Sequence, residues 1–152
     1  MAQDELGTWV GYQLKRVAAV LRAAMDEALR AHGLTTPQYA CMELLAQRPG
    51  LSNAELARGA FVTRQSMNVV LRNLQDAGLV ERPAKAPSGR ALPTRLTEEG
   101  SARLLAARAD VLVIQSRMTG SLEPAQAEVL LGQLEEMIGN LSGTPRPEDA
   151  EG

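Results

Sequence analysis

Helix start and stop signals packed into residues 51–97 constrain this chain more than anything else in it. The stretch reads LSNAELARGAFVTRQSMNVVLRNLQDAGLVERPAKAPSGRALPTRLT. Ser52 with Glu55 three positions on is a complete capping box, whose two side chains satisfy amides that a helix start leaves open. Leu56 and Ala57 give this short helix an apolar side, and Gly59 is expected to end it. Thr63 can N-cap a second helix running to Ala77, with Gly78 suited to the left-handed position beyond it. The order is therefore short helix, tight turn, longer helix.

The longer helix has two chemically distinct faces. At 100° per residue, Met67, Val70, Leu71 and Leu74 share one arc and should face a core. Arg64, Gln65, Asn68 and Arg72 share another, with Val69 at its edge. Donors and acceptors of this kind suit the edges of bases in a major groove, and a Val can touch a thymine methyl. A polar stripe alone would read as a solvated face. Its position after a capped short helix and before a basic hairpin favours DNA.

That hairpin follows directly. Residues 79–82 and 91–97 are short strand candidates around a turn-rich tip at 83–90. Pro83 and Pro93 restrict them to edge strands, so they form a two-stranded wing. From Arg58 to Arg95 the chain carries Arg58, Arg64, Arg72, Arg82, Lys85, Arg90 and Arg95 against Asp76 and Glu81. The net charge of this segment is +5, whereas the whole chain is at −2. Positive charge gathered on one segment of an acidic protein is the footprint of a phosphate-binding surface.

The segment resembles the DNA-binding core of the MarR (multiple antibiotic resistance regulator) family of winged helix-turn-helix transcription factors. The residues that carry the likeness are Leu56-Ala57, Val62-Thr63-Arg64, the run LQDAGLVER from Leu74 to Arg82, and Leu96-Thr97-Glu98-Glu99-Gly100. The family usually has an Asp two residues before the wing-tip Arg; here Ser88 stands there, before Gly89 and Arg90. The resemblance implies a mainly α fold with a small β-wing and long N- and C-terminal dimerisation helices. It also implies a homodimer on a pseudo-palindromic operator, acting as a ligand-responsive repressor. The expected DNA contacts are Ser52, Thr63, Arg64, Gln65, Ser66, Asn68 and Arg72, with Lys85 and Arg90 of the wing at an adjacent minor groove.

The rest of the chain fits one domain over residues 1–142, with 34–97 as the winged core and 4–32 and 98–142 as dimerisation helices. Hydrophobic residues make up 45% of the 152 and aromatics only 3%, which favours helices packed on helices. Residues 4–31 read as one amphipathic helix, with Leu6, Trp9 or Val10, Leu14, Val17, Leu21, Met25 and Ala28 at helical spacing and Gly33 as its stop. Thr36-Pro37 reads as the start of a supporting helix, and Pro49-Gly50 as its end. Thr97 is expected to cap a long helix to about Ser121, and Pro124 to open a last one. Residues 143–152 are polar, Pro-rich and acidic, and are expected to be disordered.

The winged core cannot cover the apolar stripes of both terminal helices, and stripes left bare favour association. A second copy would bury them through Leu6, Val10, Leu130, Leu134, Met137, Ile138 and Leu141; folding back as a monomeric helical cap is the alternative. The family's effector pocket lies where dimer helices meet the winged core, which suggests Trp9, Arg16, Tyr39 and Met42 as lining for a small aromatic or phenolic effector.

No early apolar run is long enough for a signal sequence or membrane span, and one Cys excludes an internal disulfide, so a cytoplasmic protein is expected. A single His and a single Cys cannot build an ordinary transition-metal site. With no Ser-His-Asp set, phosphate loop or HExxH, neither an enzyme nor a cofactor is expected. His32 precedes a helix-ending Gly, where the helix dipole favours an imidazolium. Cys41 lies in an apolar turn, and its expected role is structural, with redox sensing as the alternative. A winged-helix module that binds protein rather than DNA is the other alternative.

Overall fold

The computed structural model describes residues 5–82 and 93–143. They belong to two compact units, one up to Ile114 and one from Gln115 onward. The first unit contains α1 (Val10–Arg30), α2 (Thr36–Gln47), α3 (Asn53–Gly59), α4 (Arg64–Asp76), β1 (Val80–Glu81), β2 (Arg95–Leu96) and most of α5 (Glu98–Met118). The second holds the end of α5 and α6 (Pro124–Ser142).

Helix α2 is the centre of the first unit, touching α1, α3, α4 and β2. Tyr39, Cys41, Met42 and Leu45 are its buried residues. Against them pack Met25 and Leu29 of α1, Leu56 and Ala57 of α3, Met67, Leu71 and Leu74 of α4, and Leu104, Ala107, Val111 and Ile114 of α5. The core face expected for α4 is thus the observed one, with Val70 partly buried at its edge. Strand β1 pairs antiparallel with β2, Val80 opposite Leu96 and Glu81 opposite Arg95. The wing tip, residues 83–92, and the tail from residue 144 onward lie outside the described residues, and so do Lys85 and Arg90.

Three helices close in the same way. After α1 the Leu34 amide donates to the Leu29 carbonyl and the Gly33 amide to that of Arg30. After α4, Leu79 donates to Leu74 and Gly78 to Gln75; after α3, Val62 donates to Ala57 and Phe61 to Arg58. This is a Schellman closure, which needs a left-handed residue. Gly33 (φ 67°) and Gly78 (φ 74°) supply it in two cases, but Phe61 (φ 59°) does so in the third. Gly59, expected as the stop of α3, is instead its last helical residue; a Cβ there would lie 2.8 Å from Leu44 Cδ1. Its smallness serves packing against α2.

Two further expectations shift. The long first helix begins at Val10, not near residue 4, because the helical residues Glu5 and Leu6 are cut off from it by a turn at 7–9, where Thr8 and Trp9 donate backbone bonds to Glu5 and Leu6. The cap of α2 is Thr35, not Thr36, since Gln38 stands three residues after Thr35 and completes a capping box with it. Thr36 is thereby released to donate its hydroxyl to Asp26 Oδ1 of α1 at 2.5 Å.

Helix α5 is joined tightly to the hairpin base. The Thr97 hydroxyl donates to the Gly78 carbonyl at 2.6 Å and accepts from the Gly100 amide at 3.0 Å, which caps the helix. A Cβ on Gly100 would lie only 1.9 Å from the Leu79 carbonyl oxygen, so no other residue fits there without moving the helix. Lower down, Asp110 Oδ2 lies 2.6 Å from His32 Nε2, tying α5 to the end of α1. The lone His therefore has a specific carboxylate partner besides the helix terminus behind it.

In the second unit, Pro124 is the first residue of α6, the Glu123 amide donates to Gln126 Oε1 at 2.8 Å, and Gly143 (φ 70°) ends the helix. None of its residues is buried. Among the described residues, no helix is long and apolar enough to cross a membrane.

Candidate nucleic-acid interface

The presenting scaffold is built from caps. The Glu55 amide donates to Ser52 Oγ at 3.2 Å and the Ser52 amide to Glu55 Oε1 at 3.3 Å, so both halves of the box close. Hydrogen bonds from Ser52 hold the Glu55 carboxyl below the usual carboxylate range. At the start of α4, Thr63 Oγ1 accepts from the Ser66 amide at 3.0 Å and can donate to Ser66 Oγ at 3.0 Å. That arrangement leaves the Ser66 hydroxyl hydrogen as the outward donor at this helix start. Exposed hydroxyls and amides at a helix N-terminus suit a phosphate oxygen.

With Met67, Leu71 and Leu74 fixed in the core, the opposite side of α4 has to face solvent. Arg64, Gln65, Ser66, Asn68 and Arg72 are all exposed, as are Ser52 and Thr63. Neither Arg64 nor Arg72 has an ion-pair partner among the described residues. Their charge is available to an outside anion. Arg95 differs: its Nε donates to Glu81 Oε1 across the strand pair at 2.6 Å, so two of the charges counted in the basic segment cancel locally.

One residue at this surface escapes sequence reasoning. Asn53, in the first turn of α3, donates its amide to Asn68 Oδ1 on α4. The Asn68 carbonyl is thereby engaged, on a residue that is itself exposed. No periodicity in one helix reports a bond across the turn to another.

The four candidate effector residues occupy different settings. Tyr39 lines a cavity of about 440 Å³ with Glu43, Gln47, Arg108 and Leu112. Met42 is wholly inside the core, Trp9 is 60% exposed ahead of α1, and Arg16 donates to Gln13 on the surface of α1. Glu43, Gln47 and Arg108 went unmarked in the sequence because Arg108 lies 65 residues from the carboxylate it binds. Burial pushes Tyr39 upward, reinforced by Glu43, so it stays a protonated donor. Desolvation raises Glu43, but hydrogen bonds from Arg108, Gln47 and Tyr39 outweigh it and hold the carboxyl below its usual range.

Cys41 is a free, fully buried thiol, and burial pushes it up to about 12. A reactive thiol needs access and a lowered pKa. Cys41 has neither, and the redox-sensor alternative loses its chemical basis.

The comparisons with known proteins agree with this geometry. The MarR family profile matches residues 32–91. The HTH-type transcriptional repressor Rv2887 of Mycobacterium tuberculosis is 48% identical over 128 residues, covering 84% of this chain and 92% of its own. Its crystal structure in complex with salicylic acid aligns at TM-score 0.72 and 47% identity, over 86% of this chain and 96% of that one. Its complex with DNA aligns at TM-score 0.70 and 44% identity, over 86% and 98%. The core packed on α2, the capped helices α3 and α4, the β1–β2 hairpin and the sequence identity converge: the chain belongs to the MarR family.

Proposed function

We propose that this protein is a transcriptional repressor that binds duplex DNA as a two-fold homodimer and releases it on binding a small aromatic effector. The observation that carries the reading is the exposed arc of Arg64, Gln65, Asn68 and Arg72 on a helix whose other side is locked into the core. Rv2887, crystallised with DNA and with salicylic acid, supports both halves.

In this reading residues 34–97 are the DNA-reading core. Each α4 enters a major groove, Ser52, Thr63 and Ser66 meet phosphates, and Lys85 and Arg90 of the wing meet an adjacent minor groove. Residues 4–32 and 98–142 join the copies. Leu6 and Val10 in the first unit, and Leu130, Ile138 and Leu141 on α6, are exposed, as partner-covered positions would be in one chain alone; Leu134 and Met137 are half-buried. The operator is then a pseudo-palindrome whose half-sites are about one helical turn apart, roughly 34–36 Å. Trp9, Arg16, Tyr39 and Met42 remain candidates for the effector site. The protein works by binding alone, in the cytoplasm, without a cofactor or a reaction of its own.

The test is fluorescence anisotropy against the DNA upstream of the protein's own gene, repeated across a salt series. Affinity should fall steeply as salt rises, because bound phosphates release counterions. Salt-independent binding, or none at low ionic strength, would refute the reading.

A further inference from the structure

The cavity beside α2 contains a complete carboxylate receptor. Glu43 Oε2 accepts from Tyr39 Oη at 2.8 Å and from Arg108 Nε at 3.2 Å. Glu43 Oε1 accepts from Arg108 Nη2 at 2.7 Å and from Gln47 Nε2 at 2.9 Å. Four donors, two of them a guanidinium fork, converge on one carboxylate; such bidentate pairing is among the strongest recognition a protein offers that group. Leu112 and the Tyr39 ring supply apolar walls beside it.

From this geometry we propose that the cradle is an aromatic-carboxylate site which the chain's own Glu43 fills, and that an effector acid binds by replacing Glu43 on Arg108. The inference rests on the ligand-responsive reading above and names the regulation of its site. Glu43 brings no ring, so the cavity walls gain apolar contact only when an aromatic acid takes its place. The displaced carboxylate is not stranded, because the cavity opens to solvent and water can take over its hydrogen bonds. The exchange also removes the ion pair that joins α2, in the middle of the winged core, to α5. A neutral phenol lacks the anion that Arg108 requires and cannot perform the exchange. Glu43 thus selects for acids and sets the concentration at which they act.

Titration calorimetry on the DNA-free protein tests this with salicylate and its neutral amide, salicylamide. Glu43→Gln removes the internal competitor while keeping its shape, and should bind salicylate about tenfold more tightly than the native chain. Arg108→Gln should bind it at least about tenfold more weakly. Salicylamide, which cannot displace Glu43, should show no measurable binding to the native chain, and it should not match the salicylate gain in Glu43→Gln. Salicylate affinity unchanged or weakened in Glu43→Gln, or absent from the native chain, would overturn the proposal. So would native affinity in Arg108→Gln. If Arg108→Gln does not fold, the Glu43→Gln comparison of the two ligands decides alone. DNA binding is measured separately: the exchange pattern in a protein that binds no DNA would support the site and refute the repressor reading.

Discussion

Phe61 and Gly100 show how far single residues set this fold. Phe61 occupies a left-handed position that costs an ordinary L-residue about 1–2 kcal/mol, and the residue is 94% exposed, so packing offsets little of that. Phe61→Asn should therefore raise stability by about 0.5–1 kcal/mol in urea unfolding, since Asn tolerates this backbone. Gly100→Ala should do the reverse and cost about 2–3 kcal/mol in the same measurement, because the new methyl overlaps the Leu79 carbonyl. Cys41 should react with a disulfide reagent at pH 8 only as fast as the protein opens. Its raised pKa adds stability that is full below the ordinary thiol value of 9.0 and is lost as pH climbs toward about 12. Residue chemistry was legible in sequence wherever it was local. Ser52 with Glu55 and Thr63 were readable as caps, whereas Thr35 was displaced by one position from the expected Thr36 because two threonines precede Pro37. Nothing in a Phe announces a left-handed turn.

Among the elements, α4 and the α2–α5 contact divide the work. The two faces of α4 followed from its period alone, and Arg72→Ala should weaken operator binding by about 1–3 kcal/mol if Arg72 reads a base. Anisotropy titration with the native operator and with a scrambled duplex checks it; loss on both equally would mark Arg72 as a phosphate contact. The α2–α5 contact was invisible because Glu43 and Arg108 meet only once the chain has folded. Its pH behaviour has a definite sign. Glu43 is held below its ordinary value of 4.5, so the pair stabilises the fold fully above that value, and the contribution fades as pH falls through the lowered one. In Glu43→Gln, acid unfolding should accordingly be less steep. The start of α1 differs from expectation for a simpler reason: the apolar spacing continues back to Leu6, which is itself helical, but a turn at residues 7–9 interrupts the backbone before Val10.

For the whole molecule, the exposed apolar stripes are the main consequence. Val17 and Val20 on α1, and Val129, Leu131 and Ile138 on α6, lie exposed in the single chain. The amphipathic pattern that marked Val17 and Ile138 in sequence could say that something covers such positions, and the dimer is the proposed answer. Sedimentation should find a dimer at micromolar concentration, and Ile138→Asp should shift it toward monomer while leaving the melting of the core packed on α2 in place. The same variant should lose operator affinity, because two half-sites then bind independently.

Gly100 turns the top of α5 into a fulcrum. With the helix resting on a backbone carbonyl of the strand entrance, and no side chain between them to yield, that joint has no slack. Arg108 lies eight residues along the same rod, about 12 Å away at the rise of an α-helix. If an acid binds at Arg108 as proposed, the stretch of α5 from Arg108 to Gly100 is what links it to the hairpin base, and a side chain at position 100 would disturb that link.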